Sequence, residues 1–342
     1  MSLALAPLGL LYGAVARARL RLYRSGFLKS ESVGAPVVSV GNLTVGGTGK
    51  TPLVEWAAKA LAREGRRVCV LTRGYGRADE GRRVLASDGA RVLAEAGECG
   101  DEPRLLAERL LGSAAVVCDR DRVAAARWAR EEFGTEVFVL DDGFQHLRIA
   151  RDFDIVTVDA TAPWGGRAML PRGRLREPAS GLARADCVVI TRSELAEDLK
   201  GLRAEVARVS GGRAAVFTSR VRTLGLKTPA GADVSLEGVR AGAVGAFCAV
   251  GNPRAFFEHV RRDGFELCYT RAFNDHHAYA RADAEAVSRG AAGRGARALL
   301  TTAKDAVKLR GLDFALPCYV VETGLEFDDE ARLFGLLRGI IR

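Results

Sequence analysis

Residues 36 to 52 read P-V-V-S-V-G-N-L-T-V-G-G-T-G-K-T-P, and the architecture can be worked out from that segment. A β-branched run, Val37 to Val40, feeds a glycine-rich loop ending in Gly49, Lys50 and Thr51, and Pro52 suits the first turn of a following helix. Strand, loop and helix in this order make a phosphate cradle. Backbone N–H groups of such a loop face an anion, the helix N-terminus adds partial positive charge, a lysine reaches the β- and γ-phosphates, and a threonine hydroxyl holds Mg²⁺. The expected nucleotide-binding residues are Thr44, Val45, Gly46, Gly47, Thr48, Gly49, Lys50 and Thr51. The pattern G-x-x-x-x-G-K-[ST] asks for glycine at Thr44, and the Gly46-Gly47 pair offers the same steric freedom two residues later.

Downstream, residues 53–64 read as a helix and Val68–Thr72 as a short buried strand, followed by strands at 114–118, 136–142, 155–159 and 188–191 and a helix over 121–133. Continuous apolar strands alternating with helices predict a parallel sheet covered on both faces. Residues 160–185 lapse into a Gly/Pro/Arg loop, and loops of that length are functional or disordered. Residues 214–228 read as an extended ribbon, after which A-V-G-A-F-C-A-V-G-N-P starts a second strand-helix series that goes on with strands at 298–302 and 318–323 and a terminal helix after Asp328. With 342 residues, the chain is too long for one ordinary core and short for three. The fold expected is α/β: a P-loop, doubly wound parallel-sheet domain plus a smaller second α/β domain, joined by an extended β ribbon. The boundaries are 1–28 for an N-terminal membrane-associated helix, 29–213 for the P-loop domain, 214–228 for the ribbon and 229–342 for the second domain.

Residues 3–15 are apolar and residues 17–24 carry Arg17, Arg19, Arg21 and Arg24. A spanning helix needs about 20 apolar residues, and this run is shorter and broken by Pro7. A signal peptide carries its charge before the apolar part, not after it. Two readings remain: a helix in the membrane interface with its arginines on anionic headgroups, or a helix packed on the protein's own core. The net charge of +9 favours anionic partners without choosing among them. The seven cysteines are scattered without C-x-x-C spacing and read as buried reduced thiols, with Cys99 beside an acidic cluster.

Three clusters can carry chemistry. Asp141 and Asp142 end an apolar strand, and in a parallel sheet that end shares a rim with the cradle, where a carboxylate holds Mg²⁺ directly or through water. Gly100-Asp101-Glu102-Pro103 precedes a helix, where acidic residues are ordinary. Asn274-Asp275-His276-His277 reads as a pH-sensitive base, a metal pair or a polar loop; adjacent ligands on extended backbone point apart, which disfavours zinc.

Together these segments resemble the tetraacyldisaccharide 4'-kinases, the lipid A 4'-kinases of Gram-negative bacteria. The resemblance rests on S-V-G-N-L-T-V-G-G-T-G-K-T-P, T-R-G-Y-G, G-D-E-P, L-D-D-G-F-Q-H, L-P-R-G-R-L-R-E-P, D-H-H and T-A-K-D-A-V-K-L, in order over most of the chain. It implies transfer of the ATP γ-phosphoryl group, with Mg²⁺, to the 4'-hydroxyl of an acylated glucosamine disaccharide 1-phosphate. It also implies an enzyme on the cytoplasmic face of the inner membrane, peripheral or N-terminally anchored; a monomer is expected. Asp101 and His276 would be the catalytic dyad, with Lys50 and Thr51 serving the phosphates and Thr51, Asp141 and Asp142 the metal. Glu102, Arg122, Gln145, His146, Arg176 and Glu177 would be substrate or supporting residues, with Arg120 an alternative to Arg122. The basic loop 167–176 would meet the acceptor's existing phosphate. His276 suits a base near neutral pH when a carboxylate orients its ring, and the two members come from different expected domains, so closure would assemble them.

A P-loop GTPase or ATPase switch, or a metallochaperone, would share the cradle. The chain has no N-K-x-D guanine motif, for which V-I-T-R-S at 189–193 is a poor substitute, and no Cys/His cluster. A nucleic-acid binder would rest on charge alone, without aromatic platforms; no nucleic-acid partner is expected.

Overall fold

The computed structural model describes residues 5–341. Ala6–Arg24 forms helix α1, and Val37–Asn42 is strand β1, buried at every position. The cradle leads into α2, Lys50–Arg63, and then β2, Val68–Thr72, and β3, Val84–Ser87. The short α3, Ala96–Cys99, runs into α4, Asp101–Arg109, followed by β4, Ala114–Cys118, α5, Arg122–Phe133, and β5, Val137–Asp141. Next come β6, Phe153–Asp159, β7, Cys187–Thr191, α6, Leu199–Val209, and β8, Ala215–Lys227. The rest is β9, Asp233–Val234, α7, Leu236–Arg240, β10, Val244–Cys248, α8, Pro253–Arg262, β11, Leu267–Ala272, α9, Arg281–Ala292, β12, Ala298–Thr302, α10, Ala303–Ala306, β13, Cys318–Phe327, and α11, Glu330–Ile340.

Among the described residues the strands join in one 13-stranded sheet of order β11-β10-β12-β13-β8-β7-β6-β1-β5-β2-β4-β3, with β9 beside β8. The first lobe, β1 to β7, is parallel except for β3. β1 lies between β5 and β6, so the chain leaves it to wind in both directions, and the loop after β1 sits at the switch point where α/β folds bind ligands. The long strand β8 belongs to both halves: Ala215–Thr218 pairs parallel with β7, whereas Ser219–Lys227 pairs antiparallel with β13. The ribbon is therefore β8 together with β13.

Fully apolar strands need cover on both faces. On one side α2 and α4 pack Leu53, Val54, Leu61 and Leu106 against Val38, Val70 and Val116; on the other, α5 packs Val123, Ala126 and Ala129 against Leu71 and Leu140. The terminal helix α11, grouped with the second domain by its place in sequence, buries Leu333 and Leu337 in the first-lobe core, and Trp56 Nε1 donates to Glu330 Oε1 at 2.8 Å. Its apolar stripe covers the nearer open face, which is that of α2. A separate core around Val244, Ala246, Val260 and Leu300 holds the second lobe.

Helix α1 touches the protein through its glycines. Gly9 and Gly13 are its buried residues, and a Cβ on either would come within 3.3 and 3.2 Å of Met169. Leu8, Leu11 and Val15 are 51%, 62% and 60% exposed. No helix of the described residues is long and apolar enough to cross a membrane; Leu3 and Ala4 of the apolar run lie outside them. The loop 160–185 is ordered, tied to the cradle by a Thr44–Leu175 bridge and closed by a 3₁₀ turn over Ala179–Arg184. The seven cysteines form no disulfide; all are buried but Cys268, which is partly buried.

Candidate active site

The parallel strands β1, β2, β5, β6 and β7 end on one rim, and the cradle hangs over it. Gly49 caps α2 at φ +80°, a left-handed turn that favours glycine and sets Lys50 and Thr51 on the first turn of the helix. Buried hydroxyls hold the loop from below. Asn42 Nδ2 donates to Thr48 Oγ1 at 2.7 Å, the Thr48 and Thr157 hydroxyls lie 2.8 Å apart, and Thr191 Oγ1 donates to Thr48 O at 2.9 Å. Two arginines hold it from the sides: Arg174 Nε donates to Val45 O at 3.0 Å and Arg192 Nη1 to Gly47 O at 2.9 Å. Their contacts take carbonyl oxygens, not the amide groups a phosphate needs.

A cavity of about 510 Å³ opens above the cradle, with the second lobe as its roof. From the first lobe Val45 to Thr51, Glu102, Arg122, Asp141, Asp142 and Arg176 line it; from the second come Gly251, Asn252, Asp275, His276 and Lys304. Asp101 stands just behind this wall, its Oδ2 3.2 Å from His276 Nδ1. His277 faces away, toward Asp283 Oδ2 at 3.0 Å, so the adjacent imidazoles do not converge. Among the described residues no group of three or more His, Cys, Asp or Glu is placed to hold a metal ion.

Among the described residues four non-glycine residues have positive φ, and three of them, Asp142, Arg192 and His276, line this cavity. Left-handed backbone at such residues costs about 1 kcal/mol or more and persists where the surroundings dictate it, commonly at functional sites.

The carboxylates on the rim differ sharply. Asp141 is buried on β5; its Oδ2 accepts from Thr72 Oγ1 at 2.9 Å, and its Oδ1 has no hydrogen-bond partner. Burial, with Glu102 and Asp142 nearby, pushes its carboxyl up to about 6. Burial works the same way on Asp142, but Lys50 at 3.6 Å and a two-pronged Arg176 at 2.7 Å hold it far below the usual carboxylate range. Asp141 therefore carries the unclaimed oxygen, which suits a divalent cation, whereas Asp142 is taken up by the arginine and lysine. Arg122 is 4% exposed and its Nε is unpartnered; burial weakens its hold on the proton while Asp141 and Asp142 oppose that.

Thr44, Gln145, His146 and Glu177 lie beside the cavity instead of lining it. Gln145 Nε2 donates to Asn42 O at 2.8 Å and to Glu177 Oε1 at 2.7 Å, Glu177 pairs with Arg184 at 2.7 Å, and Arg19 of α1 donates to Gln145 O at 2.9 Å. Burial, with Arg122, Arg19 and Arg151 close by, lowers His146 to about 4, so its ring is neutral. Sequence reasoning missed Arg174, Arg192, Asn252 and Lys304. Arg174 and Lys304 lie inside quoted motifs, and Arg192 inside the poor guanine motif, but none of them was singled out; Arg192 follows β7 against the loop.

The sequence model of the tetraacyldisaccharide-1-P 4'-kinase family matches residues 1–342. The chain is 41% identical over 344 aligned residues to the tetraacyldisaccharide 4'-kinase of Pelobacter propionicus, covering 99% of this chain and 92% of that one. It is 45% identical to the enzyme of that name from Anaeromyxobacter dehalogenans, over 87% of this chain and 79% of the relative. The crystal structure of LpxK from Aquifex aeolicus in complex with ATP superposes with a TM-score of 0.79 at 31% identity, over 99% of each chain. The family model matches the whole chain and the relatives match most or all of it, so the chain, with its loop at the switch point and a carboxylate–imidazole pair bridging two lobes, belongs to the tetraacyldisaccharide-1-P 4'-kinase family.

Proposed function

We propose that the protein transfers the γ-phosphoryl group of ATP to the 4'-hydroxyl of a tetraacylated glucosamine disaccharide 1-phosphate, a step of lipid A biosynthesis. The observation that carries this reading is the Asp101–His276 pair, whose imidazole lines a cavity that has the glycine-rich loop as its floor. Phosphoryl transfer relies on positioning and charge neutralisation, with a base to take the hydroxyl proton. The bond from the 4'-oxygen to the γ-phosphorus forms as the β–γ bridging bond breaks, and ADP leaves. Asp101 accepts Nδ1–H of His276, which leaves the lone pair on Nε2 to receive the proton and stabilises the imidazolium that results. Lys50 and the amides of Gly47, Thr48 and Gly49 bind the phosphates, and Arg122 supplies a cation with no carboxylate of its own. Thr51 and Asp141, with Asp142 beside them, would hold Mg²⁺, which neutralises charge on the β- and γ-phosphates when bound.

The acceptor's acyl chains keep it in a bilayer, at about 0.8 kcal/mol per CH₂ withdrawn. The bare Leu8, Leu11 and Val15 face of α1 supports docking on the membrane surface, and the arginines of the same helix suit anionic headgroups on the cytoplasmic side. Gly251 meets Gly47 across the cavity, and Asn252 Nδ2 donates to Thr161 Oγ1 at 3.0 Å, which supports closure of the second lobe over the nucleotide as the step that completes the dyad.

The test is transfer of labelled γ-phosphate from ATP to tetraacyldisaccharide 1-phosphate in detergent micelles, with Lys50→Ala as control. Labelled lipid from the wild type alone is the expected result. Nucleotide binding and hydrolysis without labelled lipid would overturn the reading in favour of a P-loop switch.

A further inference from the structure

The stretch T-A-K-D-A-V-K-L at 302–309 holds two lysines four residues apart, and both reach the N-terminus of α4 in the other lobe. Lys304 makes true hydrogen bonds, to Glu102 Oε1 at 2.9 Å and Asp275 Oδ1 at 3.1 Å. Lys308 does not. Its side chain is 9% exposed, its ammonium nitrogen lies 3.2 Å from Asp101 Oδ2 and 3.6 Å from Asp305 Oδ1, and it makes no aligned hydrogen bond. Tyr279 presents its ring face 5.5 Å away.

A buried ammonium is unfavourable unless paired, and pairing this loose does little for stability. Asp305 is a poor partner because its carboxylate already accepts from Ala249 N at 3.0 Å, Tyr279 Oη at 3.0 Å and Thr302 Oγ1 at 2.6 Å. The carboxylate left for Lys308 is Asp101, and the oxygen it faces is the one His276 Nδ1 faces, also at 3.2 Å. We propose that Lys308 is a positioning residue for the reaction: it fixes the Asp101 carboxylate toward the imidazole and tempers the negative charge that the imidazole sees. This rests on the kinase reading of the dyad.

Two consequences follow from that placement. Without Lys308, Asp101 would be oriented only by His276, whose side chain is 41% exposed on a loop. The charge balance at the ring would also change. His276 faces Asp101 from α4 and Asp275 at 3.8 Å from its own loop; Lys304 and Glu102 lie behind Asp275, Lys308 lies behind Asp101, and Lys50, Arg122, Asp141 and Asp142 line the same cavity. Burial raises the Asp101 carboxyl, but His276 and Lys308 outweigh it and hold the group below the ordinary range. Removing one of these cations leaves a stronger anion beside the ring, so the imidazolium form gains.

The experiment compares wild type, K308M, K308R, D101A and D101A/K308M in the labelled-phosphate assay from pH 5.5 to 9. Methionine follows the lysine stem in shape, and K308Q replaces K308M should that variant not fold. For K308M we expect kcat to fall roughly 10- to 100-fold with the KM for ATP within about twofold and the acid limb of the pH profile moved up by about one unit. K308R should recover most of both, and D101A/K308M should be no slower than D101A, because the lysine acts through that carboxylate. An unchanged kcat and profile in K308M would overturn the proposal. So would a loss that raises both KM values, leaves the profile in place and adds to that of D101A, which marks a purely structural lysine. Absence of labelled lipid from the wild type would instead overturn the kinase reading.

Discussion

His276 Nδ1 stands 3.2 Å from Asp101 Oδ2 although the two are 175 residues apart in sequence. Neither is hydrogen-bonded to the glycine-rich loop, so their loss should slow the chemical step and spare nucleotide binding. Asp101→Ala and His276→Ala are each expected to lower kcat by about 10² to 10⁴, with the KM for ATP within about twofold. Because the two act as one unit, the double variant should be no worse than the poorer single one. Steady-state kinetics on four proteins decide this, and near-normal turnover in either single variant would remove the dyad from the mechanism.

Asp141 makes the unliganded protein less stable at high pH. Its folded-state value of about 6 lies above the ordinary aspartate value of 3.8, so between those values the folded form binds the extra proton. The stability that this one carboxyl contributes is therefore fully present below about pH 4 and is lost as pH rises through about 6, by roughly 3 kcal/mol for a shift of this size. Asp141→Asn should raise stability at pH 8 by up to that amount, with the gain vanishing near pH 4, while abolishing transfer. Urea unfolding at pH 4.5 and 8 measures it. Mg²⁺ with ATP should raise the melting temperature of the wild type at pH 8 far more than that of the variant.

The parts of this site visible in sequence were those encoded locally. A β-branched run, four glycines and Lys50-Thr51 lie within one stretch, and Asp141 announces itself by ending an apolar strand. Arg174 and Arg192 brace the same loop from 129 and 145 residues away along the chain, and no local pattern marks an arginine whose target is a distant carbonyl. The edge strand β11 went unread because its residues are only partly buried and lack the continuous apolar run of β5 or β6. Helix α11 shows the limit of periodicity: Leu333 and Leu337 prove that it has an apolar face, but which core that face covers depends on where β13 delivers the chain.

Gly251 and Gly47 meet so closely that a Cβ on Gly251 would stand 2.5 Å from Gly47 N. The opposing atom is backbone of the glycine-rich loop, which cannot yield without disturbing the amides proposed to bind phosphate. Gly251→Ala should therefore hold the lobes slightly apart, lowering kcat/KM for ATP by on the order of tenfold, while the melting temperature of the unliganded protein changes by no more than a few degrees. Small-angle scattering with and without a non-hydrolysable ATP analogue should show compaction in the wild type and less of it in the variant. Equal compaction and unaltered kinetics would mean that this approach does not limit closure.

Helix α1 buries Gly9 and Gly13 and leaves Leu8, Leu11 and Val15 bare. These three share one face by helical spacing, while the buried glycines bring the helix close to Met169. An apolar face left uncovered on a helix that also carries Arg17, Arg21 and Arg24 is suited to the boundary between headgroups and acyl chains. Replacing exposed leucines should change folding stability by less than about 0.5 kcal/mol, whereas burying each in a bilayer is worth about 1.5 to 3 kcal/mol. The Leu8→Ser/Leu11→Ser protein is thus expected to bind vesicles of anionic phospholipid at least about a hundredfold more weakly, with unaltered ATP affinity and melting temperature. If vesicle affinity stays and the melting temperature falls, the two leucines pack on the protein and the membrane reading of α1 is lost.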